Sequence, residues 1–270
     1  MPDRDRERPL GGLITAAVRA GNTVRRPAAP GAAAVAALLT HLESAGFPGA
    51  PRYLGRDDRG RTVLTWIEGW CPRQDEEHLV DETALRAVGA LLRRYHDAVA
   101  GYDPSGAAAG FEEGPPARAP GQLVCHGDVA PRNTVFRGGL PVAFIDWDGA
   151  WISDPLWEVG HALWQFAPLR PDHGLRSSGW PLIPDRLARA AALADGYRLG
   201  RAARRAVPAL IPPLISGCAD SVVAKAQAGQ PAFARLIEGG VLDDLDQEAR
   251  YAAAHEEPLR RRLLAPGSRS

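Results

Sequence analysis

Apolar residues change their spacing along the chain. Between residues 13 and 67 they fall in short β-rich runs interrupted by a single Ala/Leu block, and from residue 82 they recur mostly at helical intervals. The early runs predict strands over Leu13 to Arg19 and Thr23 to Pro27, joined at Gly21-Asn22, a pair that tolerates positive φ. Ala32 to Ala45 has no breaker and is followed by Gly46, which predicts a helix with a glycine stop. Arg52 to Arg56 and Thr62 to Ile67 predict two further strands around the turn Asp57-Asp58-Arg59-Gly60. Residues 1–10 predict a loose end or a truncated first strand, and Gly11-Gly12 a turn. Asp81 then sits as an N-cap before Glu82 to Val99, where Leu85, Val88, Leu92, Tyr95 and Val99 share one helical face and predict the core.

Residues 102–121 and 167–182 are rich in Gly, Pro, Ala or Ser without periodicity and predict loops. Between them Thr134 to Phe136 and Val142 to Ile145 read as a hairpin closed by Gly138-Gly139, with Pro141 where a missing N–H is tolerated. A two-residue loop sets Phe136 opposite Pro141, Val135 opposite Val142 and Asn133 opposite Phe144. Asp146, two residues beyond Phe144, then shares a face with Asn133. An amide oxygen and a carboxylate at one end of a hairpin are hard ligands suited to Mg²⁺. Asp154 is placed to cap a helix from Pro155 to about Phe166. From Asp185 the pattern is helical, interrupted at Gly196, at Pro208–Pro213, at Gly229, at Gly239-Gly240 and at Pro258, with fraying expected from Ala265.

Composition and charge remove several classes. The 270 residues carry 32 basic and 32 acidic side chains, so nothing favours nucleic acid or an anionic membrane as partner. No apolar run reaches the roughly 18 residues of a membrane span, and the charged first ten residues lack a signal-peptide core, which predicts a cytoplasmic protein. Three cysteines form no metal-like spacing and no even disulfide set.

The candidate chemistry lies just upstream of the hairpin. His126-Gly127-Asp128 followed by Asn133 has the H-x-D-x-x-x-x-N spacing of kinase catalytic loops, in which the Asp accepts the substrate's hydroxyl proton and the Asn holds a metal. With Ile145-Asp146-Trp147 and Asp154-Pro155-Leu156-Trp157 in this order, the chain resembles the aminoglycoside phosphotransferase family, small-molecule kinases of protein-kinase-like fold. The resemblance implies an α+β, two-lobed molecule. Its small antiparallel-sheet lobe with one helix would be residues 1–67, and its larger, mostly helical lobe residues 68–270. It also implies an ATP-dependent (or GTP-dependent) transfer to a small hydroxylated substrate. Asp128 would be the base, Asn133 and Asp146 would hold Mg²⁺, His126 and Asp154 would be structural supports, and the backbone of Trp66, Ile67 and Glu68 would hold the adenine edge.

One part departs from the family. Its strand lysine and helix glutamate, which grip the nucleotide phosphates, have no counterpart. Lys225 is the sole lysine and lies in the C-terminal part. Arg26 stands on the same strand face as Val24 and is the favoured substitute, with Arg25 the alternative. Residues Ala34 to Ala37 offer no acid, and Glu43 lies further along the helix. A nucleotide-binding protein with little or no transfer activity therefore stands as a second reading, and a metal-dependent hydrolase using His126, Asp128 and Asp146 as a third. The acids Glu238, Asp243, Asp244 and Asp246 read as a solvated face or as a draw for a cationic acceptor. Sequence leaves the acceptor and the oligomeric state open.

Overall fold

A computed structural model describes residues 7–11, 16–116 and 121–265. Gly12 of the glycine pair, residues 13–15 of the first predicted strand and the chain beyond Ala265 lie outside these.

The N-terminal part is an antiparallel sheet of β1 (Arg8–Pro9), β2 (Val18–Ala20), β3 (Thr23–Arg26), β4 (Tyr53–Arg56) and β5 (Thr62–Thr65), in the order β1-β2-β3-β5-β4. The short β1 is the truncated first strand. The Gly21-Asn22 turn pairs Ala20 with Thr23, and Gly21 takes φ +59°. Across β3 and β5, Val24 faces Leu64 and Arg26 faces Thr62. Helix α1 (Ala32–Ser44) covers this side of the sheet with Leu38, Leu39 and Leu42, all buried. It stops where the amides of Ala45 and Gly46 turn back to His41 and Glu43.

The remainder is mostly helical. Helix α2 (Glu82–Val99) begins at Asp81, whose side chain accepts from the Ala84 amide at 2.8 Å. Leu85, Val88, Leu92, Tyr95 and Val99 are all 0–1% exposed, as the spacing predicts. Strand β6 (Leu123–Cys125) pairs with β9 (Trp151–Ser153), and β7 (Thr134–Arg137) with β8 (Leu140–Phe144). The β6–β9 pair was not expected, because three-residue strands carry no readable alternation. Helices follow as α3 (Pro155–Phe166), α4 (Asp172–Ser177), α5 (Arg186–Gly196), α6 (Arg201–Ala206), α7 (Ile211–Gln227), α8 (Pro231–Glu238), α9 (Val241–Ala254) and α10 (Glu256–Leu264). Helix α4 corrects the predicted loop: fully buried Leu175 and the Arg186 to Asp172 hydrogen bond at 2.6 Å outweigh the low helix propensity of Gly174 and Ser177.

Two glycines set how closely α2 and α5 cross. A Cβ on Gly89 would lie 2.1 Å from the Leu193 carbonyl oxygen, and one on Gly196 1.9 Å from that of Arg86. The glycine predicted to interrupt a helix at 196 instead ends α5 and lets it press against α2.

The expectation of no membrane-length apolar run is also revised. Pro208, Pro212 and Pro213 sit in the first turns of helical segments, where their missing N–H costs nothing, so helical backbone continues from Arg201 to Gln227. Among the described residues this run alone is long and apolar enough to cross a membrane by those measures. In the fold it packs on α3, α8 and α9.

Candidate functional site

The predicted chemistry gathers where β6, the β7–β8 hairpin and α3 meet. β6 delivers His126-Gly127-Asp128. Gly127 has φ +85°, and a Cβ there would lie 1.8 Å from the Gly149 carbonyl oxygen, so glycine is required by the close passage of the turn after β8. His126 is fully buried. Its Nδ1 accepts from the Asp128 amide at 3.2 Å and its Nε2 lies 3.0 Å from the Ile145 carbonyl, an arrangement that puts the proton on Nε2 and ties the loop to the end of the hairpin.

Asp128 is held at both oxygens. Arg132 donates to Oδ1 at 2.6 Å and Asn133 Nδ2 to Oδ2 at 2.8 Å, with His161 Nε2 3.8 Å from Oδ1. Burial works to raise its pKa. The Arg132 guanidinium, by charge and by hydrogen bond, leads the groups that outweigh this and hold the carboxyl below its ordinary value.

The hairpin register departs from the sequence expectation. Phe136 does face Pro141, but a bulge leaves Val142 unpaired, so Val135 faces Ala143 and Thr134 faces Phe144. Asn133 therefore lies not in the strand but at the end of a 3-10 turn over Pro131–Asn133, and its carbonyl accepts the Ile145 amide at 2.9 Å. That backbone bond, rather than strand pairing, brings Asn133 beside the residue preceding Asp146. Because Nδ2 is committed to Asp128, the Asn133 amide presents Oδ1 as its remaining acceptor.

Asp146 takes a left-handed conformation, φ 66° and ψ 65°, ahead of a 3-10 turn over Trp147–Gly149. Asp tolerates this region better than bulkier residues do. Its half-exposed carboxylate accepts from Arg26 Nη2 at 3.1 Å. The same Nη2 pairs closely with Asp148, which sequence reading had not singled out. Burial pushes the Asp148 carboxyl up despite the pull of Arg26. Arg25 points elsewhere, toward Glu7 at 3.7 Å. Lys225 pairs with Glu112 at 3.2 Å.

At the link between sheet and helices, the Trp66 amide donates to the Asn22 carbonyl at 2.8 Å, and Arg137 donates to the Glu68 carbonyl at 2.7 Å. Trp66 Nε1 bonds Glu68 at 2.7 Å beneath the Arg19 guanidinium. Of the three residues expected to meet adenine, only Ile67 keeps both its amide and its carbonyl without any hydrogen-bond partner among the described residues.

Asp154 caps α3 by accepting from the Leu156 amide at 2.9 Å. The carboxylate that supports the loop from His126 to Asp128 is Glu158, one turn on. It is fully buried; Oε1 accepts from the Gly127 amide at 2.8 Å, and Oε2 lies 2.7 Å from His96 Nε2. His96 in turn meets the Tyr197 hydroxyl at 2.7 Å. Desolvation would raise Glu158, but His96, His126 and the Gly127 amide prevail and keep it ionised. Cys125 shares this buried cluster with His96 and Glu158. A 2.7 Å contact is a hydrogen bond, shorter than the about 3.4 Å that two ligands on one tetrahedral zinc would keep, so hydrogen bonding accounts for the cluster. The acids Glu238, Asp243, Asp244 and Asp246 are exposed and remain a solvated face.

Buried His126 and His161 give the site a stability signature. Burial holds both below the ordinary histidine value of 6.5, so the folded state keeps them neutral. Below pH 6.5 the unfolded chain binds protons that the folded chain refuses. Their stabilisation is complete above that pH and is lost as pH falls through the depressed folded-state values. Glu77 and Glu248, pushed up by burial, act in the opposite sense. The measure is therefore the difference between wild type and His161→Gln in urea denaturation at pH 7.5 and 5.5. The variant is expected to lose one histidine's share of the slope, and identical slopes would refute a neutral His161.

A model of the APH phosphotransferase enzyme family matches residues 106–207. A trifolitoxin immunity protein of Rhizobium leguminosarum bv. trifolii is 35% identical over 197 residues, 72% of this chain and 74% of that protein. A choline/ethanolamine kinase family protein from Mesorhizobium loti superposes with a TM-score of 0.61 at 17% identity, over 97% of this chain and 92% of that one. The GDP complex of aminoglycoside 2'-phosphotransferase-IIIa superposes at 0.60 and 14% identity, over 92% and 94%. At these identities the two structures speak to the fold, and they share the small sheet-bearing lobe and helical lobe of kinases.

Proposed function

Because this chain belongs to the APH phosphotransferase enzyme family, we propose that it moves the γ-phosphate of ATP or GTP to a hydroxyl of a small molecule. The observation that carries the reading is that Asn133 bonds Asp128 through its side chain and, through its carbonyl, Ile145, the residue before Asp146. The hydroxyl oxygen bonds the γ-phosphorus, the bond to the β–γ bridging oxygen breaks, the diphosphate leaves with that electron pair, and Asp128 takes the hydroxyl proton. Two hydrogen bonds fix the Asp128 carboxylate in orientation, and its low pKa keeps it ready to accept. The donor set fits Mg²⁺: the Asn133 Oδ1, left as an acceptor by the commitment of Nδ2, and the half-exposed Asp146 carboxylate are hard oxygens of the kind that ion takes. When bound, Mg²⁺ would neutralise charge on the phosphate oxygens. The free amide and carbonyl of Ile67 are the groups placed to meet the base, with the lobes divided at Ile67/Glu68. The reading puts the protein in the cytoplasm, with its nucleotide.

A second reading, nucleotide binding with little transfer, is favoured by the Arg26 contact to Asp146, which occupies a metal ligand. One assay separates the two. Protein, ATP or GTP and Mg²⁺ are incubated with a panel of hydroxylated acceptors. The panel includes toxins, since the 35%-identical relative carries a toxin immunity protein's name. Release of the diphosphate with a phosphorylated acceptor supports transfer. Nucleotide-dependent thermal stabilisation without product supports the second reading, and phosphate release without a phosphorylated acceptor supports hydrolysis.

A further inference from the structure

Arg26 holds a position where a cation on the third strand would meet the nucleotide phosphates, yet the helix that covers it offers nothing to hold it. The residues of α1 that line the space beside Arg26 are Ala32, Val35, Ala36 and Leu39. The single acid of that helix, Glu43, lies 3.7 Å from Arg52 instead. An arginine on a strand has several rotatable bonds, so without an anchor its guanidinium would spend its time among many positions. The anchor in this molecule comes from the opposite side of the cleft. Asp148, on the 3-10 turn that follows Asp146, pairs with Arg26 Nη2, and the same nitrogen reaches Asp146. The Arg26 side chain is only 10% exposed and that of Asp148 31%, so the pair is shielded and its geometry well held.

We propose that Asp148 is the positioning residue for Arg26. It replaces the missing helix carboxylate from the far wall of the cleft and leaves Asp146 free for Mg²⁺. The proposal rests on the nucleotide-site reading above. Nη2 carries two hydrogens, and they serve Asp146 and Asp148 together. If Mg²⁺ takes the Asp146 carboxylate, Asp148 still holds the guanidinium in place. Its Nε and Nη1 make no hydrogen bond among the described residues and are available to phosphate oxygens. Without Asp148, Arg26 has Asp146 as its only carboxylate, and guanidinium and metal compete for it. A residue that merely packed the turn would impose no such link between metal and nucleotide.

The test is binding of the nucleoside diphosphate by calorimetry, with Mg²⁺ and again with chelator, for wild type, Asp148→Asn, Asp148→Glu, Arg26→Ala and the Arg26→Ala/Asp148→Asn double variant. Asp148→Asn is expected to weaken binding about tenfold with Mg²⁺ and less than threefold with chelator, because only the former requires Asp146 to be released. Asp148→Glu is expected to recover most of the loss. Arg26→Ala is expected to show a loss similar to that of Asp148→Asn, and the double variant to add little to it. Asp148→Asn within twofold of wild type in Mg²⁺, or full additivity in the double variant, would overturn the assignment while leaving the nucleotide site standing. Wild type that binds no nucleotide in either condition would instead overturn the reading beneath it. Far-ultraviolet circular dichroism of each variant, unchanged from wild type, separates a lost anchor from a lost fold.

Discussion

Asp128→Asn is expected to slow phosphoryl transfer by about 10²–10⁴-fold while leaving nucleotide affinity within about threefold. On the phosphotransfer reading, the substitution removes the carboxylate proposed to take the acceptor's proton but keeps the shape of the side chain. Its amide oxygen still accepts from Arg132 or Asn133, and Arg132, half-exposed and also bonded to Gln165 at 3.2 Å, loses little by turning to water. The local fold should therefore survive. Single-turnover transfer measured beside calorimetric nucleotide binding checks both halves. A variant retaining a third or more of the wild-type rate would remove Asp128 from the role of base. A variant that lost rate and affinity in step would make it a scaffold residue.

Glu158→Ala is expected to cost about 3–5 kcal/mol of stability, which for a chain of this size lowers the melting temperature by roughly 10 °C. No solvent reaches this carboxylate, and it is the partner of buried His96 and of the half-buried Gly127 amide. Its removal strands the Gly127 amide in the protein interior and leaves His96 with Tyr197 alone. Because Gly127 lies between His126 and Asp128, the catalytic loop should loosen and the turnover number should fall with the stability. Glu158→Gln keeps an acceptor for Gly127 and a hydrogen-bonding group for His96, so it should lose less than half as much. Chemical denaturation of both variants, with the same order in turnover, is the check. Equal loss in Ala and Gln, or wild-type stability in either, would show that the hydrogen bonds of this carboxylate are not what holds the loop.

These two residues differ in how visible they were. Asp128 belongs to a spacing that local sequence preserves: four residues separate it from Asn133, and a short loop can present both only in a few ways. Glu158 stands in a run, Pro155 to Phe166, whose helical pattern marks it as one polar position among apolar ones. Its meaning depends on Gly127, 31 residues away. Asp154 drew attention because a helix cap is a local event, and a cap is what it makes. His96 carries no local signal of its role. Nothing in its neighbourhood along the chain shows that Glu158 and Tyr197 converge on it. The hairpin shows the limit from the other direction. Its turn and both strands were legible, but the bulge at Val142 was not, because a bulge depends on what each strand packs against rather than on the turn residues. Asn133 and Asp146 still come to one loop, by a backbone hydrogen bond instead of a shared strand face.

Local sequence alone determined the strand–helix order of the N-terminal part, the apolar face of α2, the caps at Asp81 and Asp154 and the motif from His126 to Asp146. Each of these follows from backbone preference or side-chain period over fewer than about twenty residues. Only the tertiary structure decided what faces Arg26. A cation on a strand near the start of the chain and an acid about 120 residues later share no local signal, and their pairing exists because the sheet and the turn after the hairpin close on a common cleft.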